Sequence, residues 1–512
     1  MVGERPVRVA VVGAGSAGLA MAQQLLEVGR EAGVRPVVFE RENVLGGLWQ
    51  YCADPGPCTV HVPSDTRHAT AGFADWTAHP LRPSSAMYDG LRTNIPSDIM
   101  AYRDAPFPPQ RSLFPARKDV LSYLETFAKD HGLEKYVRFR TEVVHVARAN
   151  GAWRVTSRGA SGERCEEYDG VVCAQGRCTV PYVPVIPGLA HFKGRQVHSA
   201  WYRTPTVFRG ERVLIVGNNS SGGDIARELC GGTVRTFPGY EAWQRACEDA
   251  PPVQVYQSYH NPDEPPPVDL DPRDPASPAW CRRIHVVGPI ARVDADGSVV
   301  LADKTTLHVD TIVWATGFLY QIPFSTSGAP FDAAPLLPPV GTPGVHCAPA
   351  LRAASILDNL DDWLLFYKHA PGLCFLGLPN RIVPFPLTQM QSRVVAHILL
   401  DKIPPLPRVR ADLPLTDAAR WVPQDNSQAP GPEVWRNFTF GAASETAYHD
   451  ALLALLPAPE SRQRPPGEEA YLEQGDGRGG GPHPPEHWYQ FGQWRRDRRT
   501  SGKALRHEEL KY

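Results

Sequence analysis

Long hydrophobic runs, an excess of charge of one sign and closely spaced cysteine pairs are all missing from this 512-residue chain. No stretch approaches the roughly 18 apolar residues that a membrane-spanning helix needs, so no membrane span is expected. The formal net charge of −2 gives no electrostatic reason to expect nucleic acid as a partner. The first apolar run leads directly into a glycine turn, which is typical of a β-strand and not of a signal peptide, so a cytoplasmic location is expected.

The ten cysteines are scattered along the chain, which excludes the dense pattern of a small disulfide-stapled domain. Cys52 and Cys58 are too far apart for a CxxC redox pair. Cys173 and Cys178 have a wider spacing that some disulfide reductases use, but they flank a predicted strand end, and we interpret both pairs as packing residues. No metal is expected among the cofactors.

The order strand, glycine turn, helix, strand occurs twice, beginning at residues 9–12 and again at residues 213–216. With 42% apolar and 21% charged residues the chain is globular, and its length suggests more than one domain. We therefore predict an α/β fold with two Rossmann-like dinucleotide-binding domains, the second inserted into the first.

Proline-bearing segments mark the predicted domain boundaries. The first domain is expected to comprise residues 1–179 and 318–512, and the inserted domain residues 180–317. Residues 251–278 are rich in proline and polar, so we expect a surface loop there. Residues 457–512 are expected to form an extended, Pro/Gly-rich tail, with the basic cluster at 495–499 in solvent.

The first glycine loop, residues 13–18, reads Gly-Ala-Gly-Ser-Ala-Gly. Its glycines allow a tight turn and close approach of a pyrophosphate, and the following helix offers its N-terminal N–H groups to phosphate. Glu40 ends the next predicted strand, where a carboxylate accepts ribose hydroxyls and repels a 2′-phosphate, which favours FAD or NAD over NADP. The residues expected at this nucleotide are Gly13, Gly15, Ser16, Gly18, Glu40 and Arg41.

Residues 46–49 read Gly-Gly-Leu-Trp. Adjacent glycines let the backbone run against a flat ligand, which a tryptophan after them can cover. A turn followed by a core tryptophan is the alternative interpretation. The residues expected at the ligand are Gly47, Leu48 and Trp49.

The second glycine loop, residues 217–222, reads Gly-Asn-Asn-Ser-Ser-Gly, with Asn219 in place of the middle glycine. Asparagine tolerates a left-handed backbone, so an altered turn is expected. Residues 233–237 are predicted as the next strand and carry Arg235 but no acid, which favours NADPH over NADH; Arg203 is an alternative phosphate partner, and a plain surface role for Arg235 stays open. The residues expected at this nucleotide are Gly217, Asn218, Ser220, Ser221 and Arg235.

Three further stretches flank these loops. Residues 192–202 fit FxGxxxHxxxY, residues 88–96 fit YxxLxTNxP, and residues 315–318 read Ala-Thr-Gly-Phe. In this order, over about residues 7–410, they resemble the flavin-containing monooxygenases, and they are closest in pattern to the fungal members.

The resemblance implies FAD and NADPH as cofactors and a place for Asn94 beside the reactive flavin carbon, although an asparagine before Pro96 also suits a simple turn. It implies a linker role, not general-base catalysis, for the His198 segment. Gln175 and Gln389 stand where the family usually has Thr and Glu. The remaining residues expected at the cofactors are Thr93, Thr316, Gly317 and Gln389.

The reaction that the resemblance implies is transfer of hydride from NADPH to FAD, addition of O2 to give a C4a-hydroperoxyflavin, and oxygenation of a nitrogen or sulfur atom of a small molecule. Tyr202 and Arg203 stand where relatives that oxygenate ketones carry Trp followed by Pro or Asp, which favours a heteroatom. The sequence does not decide whether the chain forms a homo-oligomer.

Three alternatives remain. A Baeyer–Villiger monooxygenase would share the fold and cofactors but take a ketone. A flavin disulfide reductase or NADPH oxidase would need a reactive cysteine pair beside the flavin. A non-catalytic FAD-binding protein is conceivable because Gln175, Asn219 and Gln389 depart from the family pattern.

Overall fold

The computed structural model describes the chain except for residues 1–5, 64–70, 76–84, 104, 109–111, 233–239, 250–251, 268–269, 326, 408–438, 458–491 and 511–512. Its helices are α1 (Ser16–Val28), α2 (Ser97–Met100), α3 (Arg117–Asp130), α4 (Ser220–Leu229), α5 (Tyr240–Asp249), α6 (Pro384–Leu399), α7 (Ala442–Leu453) and α8 (Gln493–Leu510).

The strands, in chain order, are β1 (Arg8–Val12), β2 (Arg35–Phe39), β3 (Thr59–His61), β4 (Gly72–Asp75), β5 (Val137–Arg138), β6 (Glu142–Ala149), β7 (Ala152–Gly159), β8 (Gly162–Tyr168), β9 (Gly170–Cys173), β10 (Val180–Val183), β11 (Arg195–His198), β12 (Arg212–Val216), β13 (Gln254–Ser258), β14 (Ile284–Val287), β15 (Ile290–Val293), β16 (Val299–Leu301), β17 (Thr306–Leu307), β18 (Thr311–Trp314), β19 (Phe318–Gln321), β20 (Cys347–Ala348), β21 (Ala353–Ala354) and β22 (Leu373–Phe375).

Two parallel five-stranded sheets form the framework. The first has the order β22-β9-β1-β2-β5 and the second β11-β18-β12-β13-β14, so the strand that leads into each glycine loop is central. Strands β1 and β12 are runs of β-branched and aliphatic residues because both faces of such a sheet are covered. Helices α1 and α6 pack together on the first sheet. The α/β fold class with two Rossmann-like units is confirmed.

The two glycine turns have the same close packing. A Cβ atom on Gly18 would lie 1.9 Å from the carbonyl oxygen of Gly13, and one on Gly222 would lie 2.1 Å from that of Gly217. Gly13 and Gly217 themselves have φ angles of +104° and +111°, in the region that favours glycine. Only a residue without Cβ lets each helix start this close to its strand.

The two sheets are joined through β10 and β19, which pair antiparallel with Val180 opposite Leu319. β10 leads from the first unit into the second and β19 leads back, so both crossings of the chain run side by side. They are the middle of a six-stranded sheet of order β20-β21-β19-β10-β4-β3. Two antiparallel three-stranded sheets, β6-β7-β8 and β15-β16-β17, complete the described sheets.

One sequence expectation for the second unit is wrong. Residues 251–278 are not wholly a surface loop, because β13 (Gln254–Ser258) lies inside this range and pairs in parallel with β12 over its full length. Residues 233–237, predicted as that strand, lie outside the described residues together with Arg235. The prolines on either side of β13 concealed a short buried strand.

The C-terminal expectation is also wrong in part. Residues 458–491 are outside the described residues, but Gln493–Leu510 form the helix α8 and not an extended tail. The basic cluster is not in solvent: Trp494 and Arg495 are buried, and Arg498 pairs with Asp98 at 2.7 Å. Each of these arginines finds a carbonyl or carboxylate partner, which composition alone does not reveal.

The glycine packing predicts the effect of one methyl group. Gly18→Ala should lower the free energy of unfolding by about 1–3 kcal/mol, because the added Cβ overlaps the Gly13 carbonyl and must push helix from strand. Gly288→Ala is the control, since its Cβ meets nothing within 4 Å, and it should change stability by no more than about 0.5 kcal/mol. Urea denaturation measures both, and equal effects would contradict this account.

Candidate functional site

The first glycine loop is held by a buried carboxylate. Glu40 follows β2, is 7% exposed, and accepts hydrogen bonds from the backbone N–H groups of Ala14 (2.8 Å) and Glu42 (2.9 Å). Burial raises the pKa of Glu40, and the two hydrogen bonds only partly oppose this. Arg41 next to it is exposed and pairs with Glu42 at 3.4 Å. The structure thus brings Glu40 to the loop at residues 13–18.

The Gly-Gly-Leu-Trp segment lies against the same loop. The N–H of Gly46 donates to the carbonyl of Ala14 at 3.0 Å, and a Cβ on Gly47 would lie 2.9 Å from the Cα of Gly15. Leu48 exposes 37% of its surface, while Trp49 packs its edge on Phe385 at 6.2 Å between ring centroids. The two glycines form a cradle of bare backbone beside an exposed apolar side chain.

This cradle has the features that FAD needs. Helix α1 starts at Ser16 without a side-chain cap, so its first N–H groups can meet a pyrophosphate. A cradle of glycine backbone that a Cβ would fill and an uncapped helix start together fit a flat, phosphate-bearing cofactor.

The second glycine loop has the same plan with a different cap. Asn219 has a φ of −86°, so the expected left-handed backbone at this position is wrong. Its side-chain oxygen instead accepts the N–H of Ser220 at 2.9 Å and caps α4. Ser220 and Ser221 are exposed at the helix start. Replacing the middle glycine therefore leaves the turn intact and adds a polar group to it.

The acid of the first loop has no counterpart in the second. The N–H of Gly13 donates to the last residue of β2 (2.8 Å), and the N–H of Gly217 donates to Ser258, the last residue of β13 (3.0 Å). The residue that corresponds to Glu40 is therefore Tyr259, which has no carboxylate to repel a 2′-phosphate.

Arg203, the alternative phosphate partner, is buried and holds backbone carbonyls. Its guanidinium donates to those of Cys52 (2.6 Å), Ala200 (2.8 Å) and Ser85 (2.9 Å). Burial lowers the pKa of Arg203 to about 10, so it remains a cation at neutral pH. Its expected role at a phosphate is wrong, because its donors are committed to joining three segments of chain.

Asn94 contacts the second glycine loop. Its side-chain amide donates to the hydroxyl of Ser220 at 3.0 Å, so the Thr-Asn segment touches the first residue of α4. Both side chains are exposed. The backbone N–H of Thr93 is held by Pro115 at 3.1 Å. Eight residues after Asn94, the Tyr102 hydroxyl donates to the carbonyl of Ser16 at 2.6 Å, so the same stretch of chain also contacts the first loop.

Thr316 and Gly317 form the return crossing. The Gly317 carbonyl accepts from the Tyr182 N–H (2.9 Å) and from Nε2 of His198 (3.0 Å), while the Thr316 hydroxyl donates to the carbonyl of Tyr182. Nδ1 of His198 accepts the N–H of Ala200, so His198 carries its proton on Nε2. Complete burial lowers the pKa of His198 to about 3. The histidine is neutral and connects its own segment to the return crossing at Gly317.

Comparison with known proteins gives the family. A model described as flavin-binding monooxygenase-like matches residues 65–238, and one described as an NAD(P)-binding Rossmann-like domain matches residues 11–78. Flavin-containing monooxygenase FMO GS-OX1 of Arabidopsis thaliana is 32% identical over 412 residues, which are 77% of this chain and 74% of the relative. The chain belongs to the flavin-containing monooxygenase family.

Solved structures agree with this flavin-containing monooxygenase assignment. The S-allyl-L-cysteine S-oxygenase of Allium sativum is 26% identical with a TM-score of 0.57, over 99% of this chain and 88% of that one. Tmm of Pelagibacter sp. strain HTCC7211 has a TM-score of 0.61 and 18% identity, over 88% and 87%, and shows the fold alone. The chain is an enzyme that uses FAD and NADPH. The likeness to fungal members stays a prediction.

None of the described helices of this flavin-containing monooxygenase is long and apolar enough to cross a membrane. Two of the predicted departures from the family pattern can be located. Gln389 of α6 is completely buried and accepts the N–H of Arg103 at 2.8 Å, contacts that favour a packing role over contact with a cofactor. Gln175 lies beside the first loop, since its Cα is 3.1 Å from where a Cβ on Gly13 would be.

Sequence reasoning missed a buried polar cluster between the two units of the monooxygenase. The Tyr88 hydroxyl donates to Asp224 of α4, and the Tyr202 hydroxyl donates to Glu228 at 2.5 Å. Burial raises the pKa of Glu228 to about 7, and a Cβ on Gly90 would lie 1.8 Å from its carboxylate. The Asp-x-x-x-Glu spacing on α4, which places both acids on one helix face, was the available signal.

The buried His198 predicts a pH dependence of stability. Its pKa of about 3 in the folded chain lies below the unfolded value of about 6.5, so the unfolded state binds more protons in between. Stability should therefore fall as pH is lowered through this window, by up to about 1.4 kcal/mol per pH unit from this residue.

Urea denaturation at several pH values between about 6.5 and 4 tests this. His198→Gln should show a shallower loss of stability than the wild type, while His285→Gln, at an exposed strand position, should follow the wild type. Identical slopes for His198→Gln and the wild type would rule out this contribution.

Proposed function

We propose that this flavin-containing monooxygenase oxygenates a sulfur or nitrogen atom of a small molecule in the cleft where Asn94 faces Ser220. The hydrogen bond between these two side chains carries the proposal, because it joins the start of α4 to the stretch of chain whose Tyr102, eight residues after Asn94, contacts Ser16 of the first glycine loop. A hydride donor and an acceptor can react only where the two nucleotide sites meet.

In this proposal residues 1–179 and 318–512 hold FAD, and residues 180–317 hold NADPH. The FAD ligands are Gly13, Gly15, Ser16, Gly18, Glu40, Gly47, Leu48, Trp49 and Thr93. The NADPH ligands are Gly217, Asn218, Ser220 and Ser221. When bound, FAD reduced by NADPH would activate O2, of which one oxygen atom would go to the substrate and the other would leave as water.

The chain positions the reacting groups and keeps water away from them. The Asn94 amide can hold negative charge that develops on oxygen, since an amide N–H donor aimed at that point stabilises the transition state. The lowered pKa of His198 keeps its side chain neutral, so it adds no positive charge beside the return crossing at Gly317. Tyr88, Tyr202 and Asp224, at the contact of the first unit with α4, are buried and exclude water there. Exclusion of water limits wasteful release of hydrogen peroxide.

Sulfur is the favoured atom. The S-allyl-L-cysteine S-oxygenase of Allium sativum is similar to this chain over 99% of this chain and 88% of its own, and its name states S-oxygenation. Tyr202 and Arg203, which replace the pattern of ketone-oxygenating relatives, are both committed to the interface between the units. A thioether is a soft nucleophile that attacks electron-poor oxygen directly and needs no base.

A disulfide reductase is disfavoured by the cysteine environments. Burial raises the pKa of Cys58 to about 11 and also raises that of Cys178. Thiol–disulfide exchange requires a thiolate, so these cysteines would be poor nucleophiles at neutral pH. Cys52, Cys58, Cys173 and Cys178 are free thiols in the structure.

Asn94→Ala tests the proposed site. The variant should retain FAD, but its product formed per NADPH should fall about tenfold or more, with hydrogen peroxide taking its place, because one stabilising donor is lost. Asn150→Gly is the control, since Asn150 is exposed on the β6–β7 turn with a φ of +52° that glycine tolerates. Unchanged coupling in Asn94→Ala would refute its role.

The substrate class is tested by side-by-side assays. A dialkyl thioether should give its sulfoxide with one NADPH consumed per product, whereas a cyclic ketone should give no lactone above background. The measurement is product analysis by chromatography together with NADPH consumption. Lactone formation without sulfoxide formation would favour the Baeyer–Villiger alternative.

A further inference from the structure

Helix α8 runs along the segment that carries Asn94. Residues spaced three or four positions apart, along one face of the helix, contact the segment that runs from Thr93 to Leu113. The contacts are Arg495 on the Ile99 carbonyl, Arg498 on Asp98, Gly502 against Pro96, Arg506 on the Thr93 carbonyl, and Glu509 on the Leu113 N–H. A helix docked in this way can hold the segment in one position.

Arg506 is the contact nearest to the proposed site. Its Nε donates to the carbonyl of Thr93 at 3.2 Å, and its Nη2 donates to Asp224 of α4 at 3.2 Å. The side chain is 3% exposed. One guanidinium from the C-terminal helix therefore bridges the segment of the first unit to a helix of the second.

This bridge runs parallel to the Asn94–Ser220 hydrogen bond. Thr93 precedes Asn94 directly, and Asp224 follows Ser220 by four residues on α4, which places both on one helix face about one turn apart. Two connections thus join the same two elements, one made by Asn94 and the other by Arg506.

We propose that Arg506 is a positioning residue that holds Asn94 against the start of α4 and so keeps the nicotinamide nucleotide in place during oxygenation. The proposal rests on the proposed function of Asn94. The C-terminal helix then connects the two units through one arginine side chain, that of Arg506, and not through the helix as a whole.

The residue type matters because the two acceptors lie in different directions. A guanidinium presents rigid, forked donors that can meet a carbonyl and a carboxylate together, whereas an ammonium group is a single point. Loss of Arg506 should not unfold the chain. Asp224 would keep Arg227 at 2.6 Å and the Tyr88 hydroxyl, and α8 would keep the Arg498–Asp98 pair.

The test compares Arg506→Gln and Arg506→Lys holoenzymes with the wild type. Arg506→Gln should bind NADP⁺ roughly tenfold more weakly, as followed by the absorbance change of the bound flavin, in the range typical of coupling between sites. It should also release several times more hydrogen peroxide per NADPH, with unchanged FAD content. Arg506→Lys should lie between the two.

Arg496→Gln is the matched control, because Arg496 lies on the same helix but pairs with Asp450 of α7 at 2.8 Å. It should match the wild type in NADP⁺ affinity and peroxide release. Wild-type values in Arg506→Gln would overturn the proposal. If Arg506→Gln fails to fold, Arg506→Lys decides by the same two measurements.

The double variant Asn94→Ala/Arg506→Gln separates positioning from a general loss of structure. If Arg506 acts through Asn94, the double variant should release no more peroxide than Asn94→Ala alone. Additive effects would overturn the proposal. An Asn94→Ala variant with normal coupling would instead refute the proposed function, whereas altered Asn94→Ala with unaltered Arg506→Gln would refute only the role of Arg506.

Discussion

A buried carboxylate, that of Asp224, ties together three distant parts of the chain. Burial alone would raise the pKa of Asp224, but Arg227 and Arg506 outweigh it, so that the pKa is lowered and the group remains charged. A buried charge is tolerated only when it is paired and fully hydrogen-bonded. The partners are Tyr88 from the first unit, Arg227 from α4 and Arg506 from the C-terminal helix. The requirement to satisfy one carboxylate thereby sets the relation between the two units.

The position of Asn94 against Ser220 depends on this relation between the two units. Asn94 can reach Ser220 only because the segment around it is held from both sides, by Pro115 on the N–H of Thr93 and by Arg506 on its carbonyl. The linkers add a second constraint, since the neutral His198 holds Gly317 where the chain returns to the first unit. The exposed Asn94 and the exposed start of α4 thus lie above a polar but buried set of contacts.

Local sequence patterns predicted the parts that depend on backbone sterics. The glycine turns of both loops, the place of Glu40 after its strand and the return crossing at Thr316–Gly317 agree with the structure, because each follows an apolar strand and has a steric reason that neighbouring residues reveal. Their contacts with a cofactor stay a prediction. The pattern failed where the reason is distant. The strand at Gln254–Ser258 was hidden between prolines, and the left-handed backbone expected at Asn219 gave way to a helix cap. Arg203, considered as an alternative phosphate partner, instead donates to the carbonyls of Cys52 and Ser85, which lie far away in the sequence. Contact of Gln389 with a cofactor stays a prediction.

The amino-acid order alone determined the fold class, the family and the identity of both cofactors, because glycine turns, alternating strands and the order of motifs are local properties of the chain. The tertiary structure decided which charged groups are buried and what they hold. The basic C-terminal residues illustrate the difference. An arginine-rich stretch is compatible with solvent, but here its side chains pair with the Thr93 carbonyl and the carboxylates of Asp98 and Asp224, and these contacts dock the helix. Those acceptors lie hundreds of residues away, at distances that no local pattern encodes.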